Sequence, residues 1–220
     1  MSATVRLHSL QVDALREVAN IAGGNAATAL GQLTGRPIMI TIPRLTVARV
    51  GEIPKLLDYD NQRVVVVALK VLGAFTGTLV FLMPDRRARD LCAMLLGRTV
   101  PNGPLDELSR SSLGEVANII GGAYVGALAT MMGGAIMLSV PTIGIEPPDE
   151  ILAAQRGAGA QSALLIETTL TCDNQAAPLG GHILLLPDDG APFQILDALR
   201  VPESGTPAPA AEAGGGAAWL

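Results

Sequence analysis

The chain is written twice. Residues 13–30, DALREVANIAGGNAATAL, align with residues 111–128, SSLGEVANIIGGAYVGAL, at a constant offset of 98, and EVANI is identical in both. The match runs on past this block, because Ile38-Met39 falls on Ile136-Met137 and Pro43 on Pro141. Farther along, GTLVFLMPD from Gly77 matches GGHILLLPD from Gly180 at an offset of 103. Two copies of about 100 residues are too long for solenoid units and too few for a propeller. The expectation is one pseudo-two-fold domain over residues 1–200, with repeats at about 8–100 and 106–200.

Each repeat has the same coarse plan. Apolar residues at helical spacing predict long helices over about 9–33 and 106–132. A strand is expected after each, at 37–46 and 135–145, and two more strands follow. These are RVVVVALKV and GAFTGTLVFLM in the first repeat, SALLIETTLTC and GHILLLP in the second, with hairpins at Gly73 and at DNQAAPLG. The Pro84-Asp85 and Pro187-Asp188 pairs announce a short closing helix in each copy. The fold class is α+β: two long helices packed on a largely antiparallel sheet. Residues 201–220, rich in Pro, Ala and Gly and without periodicity, are expected to be a disordered tail whose Trp219 is inert.

Composition excludes several classes. With 15 Lys and Arg against 20 Asp and Glu, a net charge of −5 and 3% aromatics, the chain lacks the basic patch and stacking platforms of a nucleic-acid binder. Cys92 and Cys172 form no CxxC pair and read as reduced, buried thiols. No charged residue occurs from Val116 to Ile145, a stretch long enough to span a bilayer. Asn118, Ser139, Pro141 and six glycines interrupt it, and no cationic cluster or aromatic belt flanks it, so it reads as helix plus strand. Without an apolar export segment at the amino terminus, a cytoplasmic protein with no membrane contact is expected.

The polar residues of the two long helices recur together: Asp13, Glu17 and Asn20 in the first, Ser111, Glu115 and Asn118 in the second. Steps of four and three residues stack them on one helix face. Gly23 and Gly121 follow three residues later and are expected to extend that face as a patch free of side-chain bulk. Packing explains shared apolar residues but would not select an exposed Glu and an exposed Asn. The set has no His or Cys ligands for a transition metal, no nucleophile beside a base and no phosphate-nesting glycine loop. A carboxylate and a carboxamide can instead pair with a partner's lysine and hold a water through both donor and acceptor atoms. Such a kit suits completing another protein's active site.

This twice-repeated pattern (Asp or Ser, three residues, Glu, two residues, Asn, two residues, Gly) resembles the motif of the CheC, CheX and FliY chemotaxis phosphatases, which dephosphorylate the response regulator CheY. NIAGGNAATAL and Tyr124 add to the likeness, which covers about residues 8–200. The chain is more similar to CheC than to FliY, since no further folded domain is expected after residue 200, and both motifs are intact where CheX-like members keep one. The resemblance implies that Asn20 and Asn118 enter the receiver's active site and orient the attacking water, while Glu17 and Glu115 pair with the receiver's lysine. It leaves Asp13 and Ser111 a supporting or helix-capping role, beside Gly23 and Gly121. It implies no cofactor of the chain's own, Mg²⁺ being expected in the receiver, and a phosphorylated CheY-like receiver as partner, with a CheD-like deamidase as a further one. The alternative it leaves open is a noncatalytic adapter for a receiver, a motor-switch component or a CheD-like deamidase. Elsewhere, His8 reads as solvated, His182 as a satisfied or edge histidine of a strand, Met131-Met132 as core filling, and Arg86, Arg87 and Arg89 as a solvated face.

Overall fold

The computed structural model describes residues 9–57, 59, 62–146, 162–173 and 178–188. Helix α1 (Ser9–Thr34) leads into strand β1 (Ile38–Arg49), and a single 3-10 turn then opens the short helix α2 (Ile53–Leu57). The hairpin β2 (Val64–Gly73) and β3 (Gly77–Pro84) runs into α3 (Asp85–Leu96). The second repeat follows with α4 (Glu107–Met132), β4 (Ile136–Leu138), β5 (Thr142–Glu146), β6 (Ser162–Cys172) and β7 (Leu179–Pro187). Both long helices, both hairpins and the short helix after Pro84-Asp85 lie where the sequence puts them. The closing helix expected after Pro187-Asp188, residues 174–177 of the DNQAAPLG run, His8 and residues 201–220 lie outside the described residues.

Among the described residues seven strands form one sheet in the order β1-β6-β7-β3-β2, with β4 and β5 both lying along the far side of β2, and every pairing is antiparallel. Each repeat therefore lends its first strand to the other: β1 pairs with the hairpin of the second copy, and β4 with β5 pairs with the hairpin of the first. The duplication extends to the register. Leu79 pairs with Leu185, and moving each by the repeat offset of 103 gives His182 and Leu82, another pair of the same central ladder. At the edges, Ile40↔Leu170 corresponds to Leu138↔Val71, and Arg44↔Glu167 to Thr142↔Ala68. Even the irregularity recurs, since β1 shifts register between Thr41 and Arg44 just where the second copy breaks at Ser139-Val140-Pro141. There the Ser139 hydroxyl accepts from the Lys70 N–H at 2.9 Å and the Ser139 N–H donates to the Lys70 carbonyl at 2.9 Å. The single strand expected over 135–145 is thus two short strands joined by a proline bulge, which also blunts a sheet edge.

Two apolar layers follow from the period-two alternation of the strands. One face carries Val65, Val67, Leu69, Leu79, Ile166, Ile183 and Leu185 under α1, α4 and α3. The other carries Val64, Val66, Val80, Leu82, Leu165, Leu184 and Leu186, covered by Val50, Ile53, Leu57 and Tyr59. Burial on both faces is why β2 begins with four consecutive valines. Helix α4 is long and apolar enough to cross a membrane by length and composition. Its apolar side is occupied, however: Leu113, Val116, Ala117, Ile120, Val125 and Leu128 are buried in the core.

The start of α4 is fixed by charge. Asp106 caps it, accepting from the Ser109 N–H at 2.8 Å, and the bonds from Ser109, then Arg98, lower its carboxyl pKa to about 2. Arg89 corrects a sequence expectation. It is 6% exposed rather than solvated, and its guanidinium grips the Asp85 carboxylate at 2.9 and 3.0 Å while donating to the carbonyls of Pro101 and Gly103. One side chain thereby ties α3 to the connection that delivers α4. His182 is satisfied, as expected: its Nδ1 lies 2.6 Å from the Tyr59 hydroxyl, and burial lowers its pKa, partly offset by Glu167. Cys92 and Cys172 are free and buried.

Candidate functional site

Helices α1 and α4 pack against each other on one face of the sheet, and each turns its motif to solvent. On α1 the inward side carries Gln11, Leu15, Ala19, Ala22, Ala26 and Leu30 among its buried residues, and Asp13, Glu17 and Asn20 are exposed. At 3.6 residues per turn these three span only about 60° of the helix surface. On α4 the inward residues are Leu113, Val116, Ala117, Ile120 and Tyr124, and Ser111, Glu115 and Asn118 are exposed in the same way. The structure thus brings acid and amide together within each helix, on both copies.

The motif glycines do something other than expected. Gly23 and Gly121 are buried, because a residue three beyond the Asn is rotated well away from the Glu-Asn stripe and onto the sheet. A Cβ at Gly23 would lie 3.5 Å from the Ile40 and Ile42 side chains, and one at Gly121 would lie 3.0 Å from Leu138 and Leu79. They let the helices sit low on the strands. The smooth patch belongs instead to their neighbours Gly24 and Gly122, which are exposed with nothing within 4 Å of a built Cβ. Both continue the stripe four residues after the Asn. The doubled glycines at 23–24 and 121–122 carried that signal, one member for packing and the other for exposure.

The surroundings of the two motifs differ. Asp13 pairs with Arg16 at 3.5 Å along α1. Around the second motif, Glu107, Arg110, Ser111, Gly114, Glu115, Asn118, Pro141 and Ile143 line an open groove of about 530 Å³. The bulge brings Pro141 against Gly114, whose Cβ would lie 3.2 Å from the proline ring, and Arg110 donates to the Ile143 carbonyl at 2.7 Å. Tyr124, on the buried side of this same helix, has its phenol pKa pushed up to about 12 by burial. The Thr168 hydroxyl is close enough to oppose that shift, though neither group reaches hydrogen-bonding geometry. Among the described residues no group of three or more His, Cys, Asp or Glu side chains is placed to hold a metal ion.

Fold and motif define a class: a duplicated α+β domain that sets two Glu-x-x-Asn helix faces in solvent. The sequence matches the CheC-like family over residues 10–47 and the family described as chemotaxis phosphatase CheX over residues 65–158. It is 27% identical over 184 residues to the CheY-P phosphatase CheC of Bacillus subtilis, covering 81% of this chain and 88% of that one. The fold matches a crystal structure of Thermotoga maritima FliY with a TM-score of 0.72 at 20% identity, over 89% of this chain and 98% of the other. It matches the FliM middle domain of H. pylori with a TM-score of 0.61 at 10% identity, over 88% and 99%. By two family models and by relatives that include a CheC and a FliY of Bacillus subtilis, the chain is a relative of the CheC, CheX and FliY proteins.

Proposed function

We propose that the chain dephosphorylates a CheY-type receiver, each motif helix supplying what the receiver's own active site lacks. The observation that carries this reading is the placement of Glu17 with Asn20 and of Glu115 with Asn118 on exposed stripes of helices whose opposite sides pack into the core. A phosphorylated aspartate is already an activated acyl phosphate, so acceleration requires mainly a water held in line with the bond that breaks. The carboxamides of Asn20 and Asn118 offer a donor and an acceptor on one planar group, enough to orient such a water. Glu17 and Glu115, one turn earlier, are suited to pair with a receiver lysine and so set the register. Asp13 and Ser111 begin the stripe as supporting groups, and the bare surface of Gly24 and Gly122 allows a partner backbone to come close.

The B. subtilis relative is named a CheY-P phosphatase, which agrees with this reading. In it the chain works in the cytoplasm without a cofactor of its own, Mg²⁺ belonging to the receiver, and a CheD-like deamidase is a further partner. The second reading, a noncatalytic adapter, draws on the fold shared with the FliM middle domain. An adapter has no need of both Glu-Asn pairs, and both are kept. The test is phosphate release from phosphorylated CheY in Mg²⁺ with and without the purified chain. Acceleration there, with no turnover of a generic phosphate ester, is the expected result. Binding of the receiver without acceleration would favour the adapter, and hydrolysis of the ester would overturn the mechanism.

A further inference from the structure

We infer that the two motif sites are unequal, that a phosphorylated receiver is processed mainly at Glu115–Asn118, and that Arg110 is a positioning residue of that site. This rests on the phosphatase reading above. The repeats agree in sheet register pair by pair, so a difference beside the motifs is a departure from a closely kept symmetry. Two such departures flank the same helix face. Gly114 occupies the place that Arg16 holds in the first copy, and Arg110 the place of Val12. In the second copy Gly114 leaves a floor against which Pro141 rests, and the groove of about 530 Å³ opens beside Glu115 and Asn118. In the first, the exposed Arg16 side chain stands on that flank and is drawn to Asp13, a member of the motif itself.

Arg110 has the chemistry to act on the incoming group. It lines the groove with Glu107 and Glu115, and its guanidinium is held by the outward carbonyl of Ile143, which leaves further N–H donors for an anion. A phosphoryl group and the acidic pocket that carries it are such an anion. Val12 can supply neither the charge nor the donors. The first site therefore has the Glu and the Asn with a valine at the place of Arg110, and its one flanking arginine, Arg16, is drawn to Asp13 where the second copy has Gly114 under Pro141.

The experiment uses the full chain in two backgrounds, Asn20→Ala, which leaves only the second site, and Asn118→Ala, which leaves only the first. Phosphate release is followed against phospho-CheY concentration at two salt concentrations. The account expects Asn118→Ala to lose clearly more activity than Asn20→Ala. Adding Arg110→Ala to the Asn20→Ala background should raise KM about two- to five-fold, as for an exposed charge pair, flatten its salt dependence and leave kcat nearly unchanged. Arg110→Lys should restore most of the salt dependence. The same Arg110→Ala in the Asn118→Ala background should do nothing, whereas Arg16→Ala there should improve the remaining turnover. Equal losses from the two Asn variants, or an equal effect of Arg110→Ala in both backgrounds, would overturn the inference while leaving the phosphatase reading standing. Full activity with both Asn residues removed would instead defeat that reading.

Discussion

Gly23→Ala and Gly121→Ala are the same chemical change at equivalent positions, yet they should have opposite effects on stability. Replacing a mid-helix glycine by alanine recovers about 0.5–1 kcal/mol of backbone entropy, and burying the added methyl contributes about 0.8 kcal/mol more. At Gly23 nothing opposes this, since the new Cβ meets Ile40 and Ile42 at 3.5 Å, ordinary contact, and a gain of about 1.5 kcal/mol is expected. At Gly121 the Cβ arrives 3.0 Å from both Leu138 and Leu79, and Leu79 is itself 2% exposed with little room to move. Overpacking of this kind costs about 1–3 kcal/mol, and at about 2 kcal/mol it turns the gain into a net loss of about 0.5 kcal/mol. The two variants should therefore differ by about 2 kcal/mol, or roughly 1 M in urea midpoint at a typical slope. Urea unfolding followed by circular dichroism reads this directly. Equal midpoints, or Gly121→Ala above the parent, would refute the assignment of these glycines to helix–sheet packing.

Other consequences are as direct. Arg89→Met leaves the Asp85 carboxylate and two loop carbonyls without their donor, and should lower stability by about 2–4 kcal/mol in thermal or urea unfolding. Tyr59→Phe takes the hydroxyl from His182 and from the Leu82 carbonyl, and should cost about 1–2 kcal/mol in the same assay. Because burial holds the folded-state pKa of His182 below the ordinary value of 6.5, stability should be full above that pH. It should fall as pH drops below 6.5, where the unfolded chain takes up a proton that the folded one resists. His182→Gln should flatten that part of the pH–stability curve.

Much of this architecture was legible because a duplicated chain supplies its own comparison. The offset of 98 placed both motif helices and their acid-amide stripes, and the offset of 103 placed the central ladder, where the pairing obeys the same two-fold. What stayed hidden depends on directions that spacing describes poorly. Gly23 shares the motif's rhythm but lies nearly a quarter turn from its stripe, and only the packing of α1 on β1 reveals which side it serves. Arg89 sits beside Arg86 and Arg87 in a run that reads as solvated. Its burial depends on Asp85 one turn back and on carbonyls of a connection more than ten residues ahead. The exchange of first strands between repeats is likewise a long-range pairing with no local signature. The break between β4 and β5 rests on a serine side chain standing in for a backbone acceptor, which alternation alone does not announce.

The central claim is that exposed carboxamides on α1 and α4 drive loss of phosphate from a receiver, and the Asn20→Ala, Asn118→Ala double variant tests it most directly. Both side chains are exposed, so their removal should change stability by no more than about 0.5 kcal/mol, and the fold can be verified by its unfolding curve. Phosphate release from phosphorylated CheY should then fall to the receiver's own unassisted rate, with Glu17 and Glu115 still present to support binding. A correctly folded double variant that accelerates release as well as the parent would contradict the account.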